Sequence, residues 1–465
     1  MIILFRGKCF AVIVSLFIVL LCVGCSGESE GSGEENPDLI DAVIDEIPNY
    51  TVEVDDLETD VPEIQDIEPE PPDEPDVSVD PGEQNEPIEP DEPDVLSTNI
   101  EPSVADISET EPELSDRLDI VAKKYNCATV SLVAYDSGDS YFTYLYDCMS
   151  SDTRRAVDTD TKFRVASLSK LVTVICAMIL VDAGEIDLDE DISVYLGYEV
   201  RNPSFPDEAI TARMLMQHTS SIYDSESFGA SRSKNGATDK STRDLLEAQG
   251  SFSGNKPGAR YRYSNFGIAV LGAVCEMVSG EILDLFAREA LFSPLDIDAA
   301  YLPSNLHDTE NIATIYNANH GVGRSVQAQL DMGTSNELGY DHHLAQGNLT
   351  ISAIDYARLL TMLVNGGTLG DVRILTEESV REIHITDVNA GQYKQGLAVR
   401  YNESTLMGDD VYWHTGSMHG EFTQFSYNLE NGRIIVVLTT GANGERASNG
   451  MLKACEDMGA VLLSF

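Results

Sequence analysis

The chain has 465 residues, with 79 Asp and Glu against 29 Lys and Arg, for a formal net charge of -50 at pH 7. So acidic a chain repels nucleic-acid phosphate, and that class of partner is excluded first. The charge is uneven: residues 26–115 hold 32 of the acidic residues and no Lys or Arg, so residues 116–465 have the balance of an ordinary acidic globular region.

The first 25 residues stand apart. Arg6 and Lys8 precede an apolar run over 9–23 that ends in Cys22-Val23-Gly24-Cys25-Ser26. Such a run is short for a spanning helix and matches a signal-peptide core. Gly24-Cys25 followed by a Ser/Gly/Glu tract resembles the lipobox of bacterial lipoproteins, which implies lipidation of the Cys25 thiol. Cys22 departs from that motif, which usually has Leu there, and an uncleaved N-terminal anchor is the alternative. Both readings export the chain and tether it in the bacterial cell envelope, outside the cytoplasmic membrane. Residues 26–115 carry 13 of the 18 prolines, in runs such as Glu68-Pro69-Glu70-Pro71-Pro72, and lack the aromatic content of a core. This composition predicts a disordered, charge-extended linker.

About 350 residues from 116 to 465 remain, enough for one large core or two subdomains. A helix-like stretch over 114–125 leads into two β-rich runs, 127–135 and 140–148, around Asp136-Ser137-Gly138-Asp139. They read as a hairpin. Helical patterns recur over 212–218, 242–248, 267–278 and 354–365. The C-terminal end returns to strands at 411–415, 422–427 and 433–440, with a turn at Glu430-Asn431-Gly432, before a helical run over 451–463. Together these predict an α/β fold: one antiparallel sheet built from both ends of residues 116–465, flanked by helices, with a mainly helical insertion at about 185–345.

Cys9, Cys22 and Cys25 lie in the export signal, and none of the other five cysteines has CxxC spacing, so no zinc ribbon or thioredoxin-like site is indicated. Pairing Cys127 with Cys148 centres the first hairpin's turn between Ser137 and Gly138. The two would then face each other within disulfide reach, in the oxidising setting that export supplies. A reduced pair on one strand face is the alternative. Cys176 and Cys275 fall on apolar helices as core thiols. His320 and His342-His343 show no ligand spacing, so neither a metal nor another cofactor is expected.

The most informative stretch is Phe163-Arg-Val-Ala-Ser167-Leu-Ser-Lys170, which opens a long apolar run to Gly184. A Ser-x-x-Lys spacing on a helix puts hydroxyl and amine one turn apart on one face, and a partly buried amine can activate the serine. The spacing occurs three times, at Ser167/Lys170, Ser231/Lys234 and Ser253/Lys256. Ser231 lies in a polar loop and Lys256 precedes Pro257, which disfavours a helix there, so only the first opens a buried helix. Two further signals occur once each: Tyr263-Ser264-Asn265 on a loop after Pro257-Gly258, and His414-Thr415-Gly416-Ser417 at the end of an apolar strand.

Ser-x-x-Lys, Tyr-x-Asn and His-Thr-Gly, in that order, resemble the serine penicillin-recognising superfamily. The closer resemblance is to the branch with class C β-lactamases, D-Ala-D-Ala carboxypeptidases, D-aminopeptidases and related esterases, with Tyr-x-Asn where class A relatives have Ser-Asp-Asn. Supporting stretches run over 210–220, at Pro257-Gly258, and from Gln346-Gly347 to Gly367. The resemblance covers 116–465 and implies a β-lactamase/transpeptidase-like fold. It also implies that Ser167 is the nucleophile, Lys170 its ionised partner, and Tyr263 the general base or proton relay. Asn265 would orient Lys170 or the substrate amide, and the N–H groups of Ser167 and Ser417 would form the oxyanion hole. His414, Thr415 and Gly416 would line the side that meets a substrate carboxylate.

Two departures matter. Ser221 stands where many relatives have Gly, and His414 replaces the Lys common in class C β-lactamases, on the peptidase and D-aminopeptidase side. The expected activity is that of a serine hydrolase forming an acyl-enzyme on D-amino-acid cell-wall peptides. The alternatives are a class C-like β-lactamase or esterase on the same scaffold, and a non-catalytic receptor for peptide or β-lactam. His419 stands either in the cleft or in a surface loop, and Trp413 reads as a packing residue.

Overall fold

A computed structural model of the chain describes residues 105–463, apart from 107, 109–110, 137–139, 152–153, 232–239, 334, 336 and 341–342. The expected signal segment with Cys25, and the linker up to residue 104, lie outside the described residues. The folded region begins earlier than position 116, with a two-residue strand β1 (Ala105–Asp106) and helix α1 (Pro112–Lys124). Pro112 takes the first helical turn, where its missing N–H costs nothing, so the linker's last proline serves the fold.

The hairpin strands β2 (Thr129–Asp136) and β3 (Ser140–Asp147) come next. The C-terminal part supplies β4 (Val388–Asn389), β5 (Lys394–Gln395), β6 (Arg400–Thr405), β7 (Gly408–Met418), β8 (Glu421–Tyr427) and β9 (Ile434–Thr440). All nine strands join one sheet, in the order β1-β3-β2-β9-β8-β7-β6-β5-β4. Only β1 on β3 is parallel; every other pairing is antiparallel. The expected sheet from both ends of the region is therefore present, joined where β9 pairs with β2.

Both faces of this sheet are covered, which is why β9 reads as an unbroken apolar run. Its residues Ile434, Val436 and Leu438 face a core that contains α2 (Ser169–Asp182), α3 (Asn265–Ser279) and α4 (Ala353–Val364). Ile435 and Val437 face the opposite way, toward α1 and α5 (Lys453–Leu462). Between the two strand groups the chain is mostly helix and turn, as expected. Helix α2 has eleven of its fourteen residues buried, Lys170 among them; a helix apolar all round belongs inside a core. Gly272 of α3 lets the segment at Ala345 approach, since a Cβ there would lie 2.6 Å from the Ala345 Cβ.

The expected disulfide does not form. The hairpin pairs Thr129 with Asp147 and Asp136 with Ser140, and the Cys148 N–H donates to the Ala128 carbonyl at 3.1 Å. The loop thus takes three residues, 137–139, and the register differs by one from that which would set Cys127 opposite Cys148. A shift of one residue turns a side chain to the other face. Cys127 is buried in the α1/α5 core and Cys148 is exposed, both as free thiols. Cys176 and Cys275 are buried free thiols, as expected. Burial pushes the Cys127 thiol up to about 12. Alkylation of the native protein should therefore modify Cys148 and spare Cys127 until the chain is unfolded; a linked 127/148 peptide in non-reducing mapping would contradict this register.

Candidate active site

Ser167 sits on a turn that the backbone holds under strain. The strand Phe163–Arg164 pairs with Thr350–Ile351, Ala166 takes φ 48, and a short 3-10 turn over Ala166–Leu168 feeds α2. A left-handed alanine costs roughly 1 kcal/mol, so neighbours must hold it. The Val165 N–H donates to Leu349 O at 2.9 Å, and the Val165 carbonyl accepts from Thr423 Oγ1 at 2.9 Å. Ser169 Oγ donates to Ala166 O at 2.6 Å and accepts from the Leu349 N–H at 3.0 Å. Ser167 is left half-buried, with buried neighbours on both sides.

Three separated parts of the sequence meet around Ser167 and Lys170. Lys170 Nζ donates to Ser167 Oγ at 3.0 Å, to Asn265 Oδ1 at 2.9 Å and to the Gln346 carbonyl at 2.6 Å. The Tyr263 hydroxyl donates to Ser167 Oγ at 3.0 Å. The expected Ser167, Lys170, Tyr263 and Asn265 are thus in one hydrogen-bonded group. Of the other two Ser-x-x-Lys pairs, Lys256 bonds Glu208 at the surface, and Lys234 lies outside the described residues.

Asp224 braces this group from behind. Its Oδ2 accepts from Asn265 Nδ2 at 2.8 Å, and its Oδ1 accepts from Ser264 Oγ at 3.0 Å and the Phe266 N–H at 2.8 Å. It therefore fixes which way the Asn265 amide points, oxygen toward Lys170. The preceding loop is also bent: His218 has φ 59 and Ser221 φ 68. The left-handed geometry at 221 explains why glycine suits that position; here the Ser221 hydroxyl accepts from Asn202 Nδ2 at 3.0 Å.

The third motif forms the facing wall. Strand β7 pairs with β6 only up to Trp413, so His414 to Met418 have no β6 partner and lie beside the Ser167 turn. Gly416 permits this approach, because a Cβ there would lie 2.4 Å from Val165 O and 2.2 Å from Thr423 Oγ1. Ser417 is exposed just beyond it. Burial, followed by the charges of Arg400, Lys170 and His218, lowers the His414 pKa well below the ordinary range, so the ring is neutral at pH 7. Its Nδ1 lies 2.8 Å from the Thr415 carbonyl; the neutral ring donates there, which leaves Nε2 a buried acceptor without a partner.

The cations on this wall are two arginines that carry no sequence signature. Arg400 Nη1 and Arg446 Nη1 both donate to Thr415 Oγ1, at 3.3 and 3.2 Å. Buried Arg400 stands over the rings of Tyr393, Trp413 and Tyr263, with centroids 4.7, 5.1 and 5.5 Å away, while Arg446 is an exposed residue. No carboxylate pairs with either guanidinium among the described residues. Burial raises the Tyr263 pKa, so its phenol is protonated at neutral pH. Trp413 packs fully buried, its Nε1 donating to Asn402. His419 sits in the turn after β7, and His320 lies beside Cys148. No group of His, Cys, Asp and Glu among the described residues could hold a metal.

A long antiparallel sheet against an all-buried helix that starts at Ser-x-x-Lys defines a serine hydrolase of the β-lactamase/transpeptidase architecture. The chain belongs to the Beta-lactamase family, whose profile matches residues 104–456. It is similar to Penicillin-binding protein 4 of Amycolatopsis lactamdurans, at 24% identity over 70% of this chain and 84% of that one. It is also similar to Penicillin-binding protein 4* of Bacillus subtilis, at 26% identity over 35% of this chain and 36% of that one, about a third of that relative's length. Among solved structures, a class C β-lactamase superposes with a TM-score of 0.60 at 17% identity, over 77% of this chain and 96% of that one, an agreement of fold.

Because Gly416 has no room for a Cβ, Gly416→Ala should destabilise the protein by about 1–3 kcal/mol, the usual cost of overpacking. Urea unfolding checks this, and an unchanged midpoint would mean β7 is free to move off the Ser167 turn.

Proposed function

We propose that the protein is an acyl-enzyme-forming hydrolase of D-amino-acid cell-wall peptides, of the D,D-carboxypeptidase kind. The observation that supports this most is the pair Arg400 and Arg446, unneutralised and converging on Thr415 Oγ1. That hydroxyl, accepting from both, has its own proton free for a ligand. Two guanidiniums and a hydroxyl beside the nucleophile suit a carboxylate close to the scissile bond, as at a peptide C-terminus. Neutral His414 adds no charge, so the arginines stand in for the lysine it replaces.

In this reading Ser167 Oγ attacks the carbonyl carbon next to the terminal residue. Its proton passes to Tyr263 Oη while the Tyr263 proton goes to the leaving nitrogen, and the bond to that nitrogen breaks. Lys170, kept charged by Asn265 Oδ1 and Gln346 O, stabilises the developing negative charge on Oγ and Oη. The N–H groups of Ser167 and Ser417 receive the carbonyl oxygen. Water then attacks the ester by the reverse relay. The second reading, a class C-like β-lactamase, uses the same groups, since a β-lactam also carries a carboxylate beside its amide; the deacylation rate separates the two. We also propose that the domain works outside the cytoplasmic membrane, tethered through Cys25. Palmitate labelling that depends on Cys25 and survives Cys22→Ser supports the tether, and release of lipid-free protein removes it.

A fluorescent penicillin should label the wild-type chain covalently, and Ser167→Ala should not be labelled. Lys170→Ala and Tyr263→Phe should each slow acylation by orders of magnitude, with the double variant no worse than the slower single one, as for residues that act as a unit. Arg400→Ala and Arg446→Ala should each lower kcat/KM about 10- to 100-fold for peptides with a free terminal carboxylate. The same peptides capped as amides should be hardly affected. Equal losses on both would remove the carboxylate site.

A further inference from the structure

Beside the site lies a buried charge cluster that the chemistry above leaves unused. Glu421 opens β8 and pairs with Met418 across the two-residue turn His419-Gly420. The turn has φ 53 and φ 104, the geometry of a tight hairpin. It rests on the strand Ile315–Tyr316, for a Cβ at Gly420 would lie 2.0 Å from Tyr316 O. The Glu421 side chain is 1% exposed and the Arg164 side chain 5%, with Arg164 Nη1 and Glu421 Oε2 3.9 Å apart. Among the described residues neither carboxylate oxygen accepts a hydrogen bond, and Arg164 Nη1 donates none.

Arg164 also links the parts on which the site is built. It stands three residues before Ser167. Its Nε donates to Gly347 O at 3.1 Å, next to the Gln346 carbonyl that holds Lys170, and its Nη2 meets Met418 Sδ at 2.7 Å, next to Ser417. One guanidinium therefore touches the Lys170-holding segment and the hairpin of the facing wall, and it is carried by the strand that leads to the serine.

We propose that Arg164 and Glu421 are a positioning pair that sets the β7–β8 turn, and with it the Ser417 N–H, against Ser167, and that only the ionised carboxylate does so. This rests on the roles of Ser167 and Ser417 proposed above. The charged groups facing Glu421 are Arg164 and, from the strand Val322–Arg324, Arg324; its register neighbours Met418 and Thr440 are neutral. Burial raises the Glu421 carboxyl to about 7 against the pull of both arginines. As pH falls through that value the carboxylate takes a proton, the pair goes slack and the turn is released. Stability runs the other way. The folded chain binds this proton more readily than the unfolded one, so the group's stabilising contribution is lost as pH rises from the ordinary carboxylate range to about 7.

The test is the second-order rate of covalent labelling of the full chain by a chromogenic β-lactam, between about pH 5.5 and 8.5. For the wild type the rate should climb below about pH 7, approaching tenfold per unit as for one ionisation, and then level off. Glu421→Gln should be slower at high pH and flat across the acid range, with unfolding midpoints measured alongside. Arg324→Gln, which removes one opposing cation, should move the acid limb to higher pH; it serves where Glu421→Gln does not fold. A Glu421→Gln profile that matches the wild type, or an unmoved limb in Arg324→Gln, overturns the positioning role. Labelling of Ser167→Ala would instead overturn the reading beneath it, so the two failures are distinguishable.

Discussion

The structure depends on how the buried amine of Lys170 is held. Its side chain is fully buried, and an uncompensated charge in that position costs several kcal/mol. Three oxygens on three elements are among its partners: Ser167 Oγ, Asn265 Oδ1 at the start of α3, and the carbonyl of Gln346. None is a formal anion. Asp224 stands one hydrogen bond further out, behind Asn265, so the negative charge nearest to Lys170 in this network acts through an amide dipole. Placing the anion one bond away stabilises the ammonium while leaving its field directed at Ser167 Oγ.

The same requirement explains why three motifs far apart in sequence were legible while their supports were not. Ser-x-x-Lys, Tyr-x-Asn and His-Thr-Gly carry fixed local spacings on elements whose periodicity is strong, and they meet as the resemblance implied. Asp224, Arg400, Arg446 and the Gln346 carbonyl act through tertiary contact alone. A lone arginine in Val399-Arg400-Tyr401 reads like any strand cation, and a carbonyl has no sequence signature at all. The sheet from both chain ends was readable from alternating and continuous apolar runs. The hairpin register was not, because Asp136-Ser137-Gly138-Asp139 accommodates a two- or a three-residue loop, and that single residue decides which face Cys127 and Cys148 occupy.

Charge is partitioned with the same economy. Residues outside the linker still carry an acidic excess, yet the cleft gathers Lys170, Arg400 and Arg446, with His218 and His414 both held neutral by burial and by the charges of Lys170 and Arg400. Positive charge is thus gathered around Thr415 Oγ1. The aromatic rings around Arg400 make this possible without a counter-ion, since their faces solvate the guanidinium in place of water.

Four of the nine non-glycine residues with left-handed backbone among the described residues stand where these supports meet. Ala166, His218, Ser221 and His419 all take left-handed backbone geometry, at roughly 1 kcal/mol each for residues that bear a Cβ. Each lies at the turn that presents a functional group: Ala166 before Ser167, His218 and Ser221 ahead of Asp224, His419 after Ser417. Such turns persist only where the flanking structure over-determines them, and here backbone bonds hold each one: Val165 to Leu349 beside Ala166, Arg262 to His218, Ser253 to Ser221, and Gly441 to Gly420 beside His419. The rigidity of the sheet and the buried helix is therefore the source of the site's geometry.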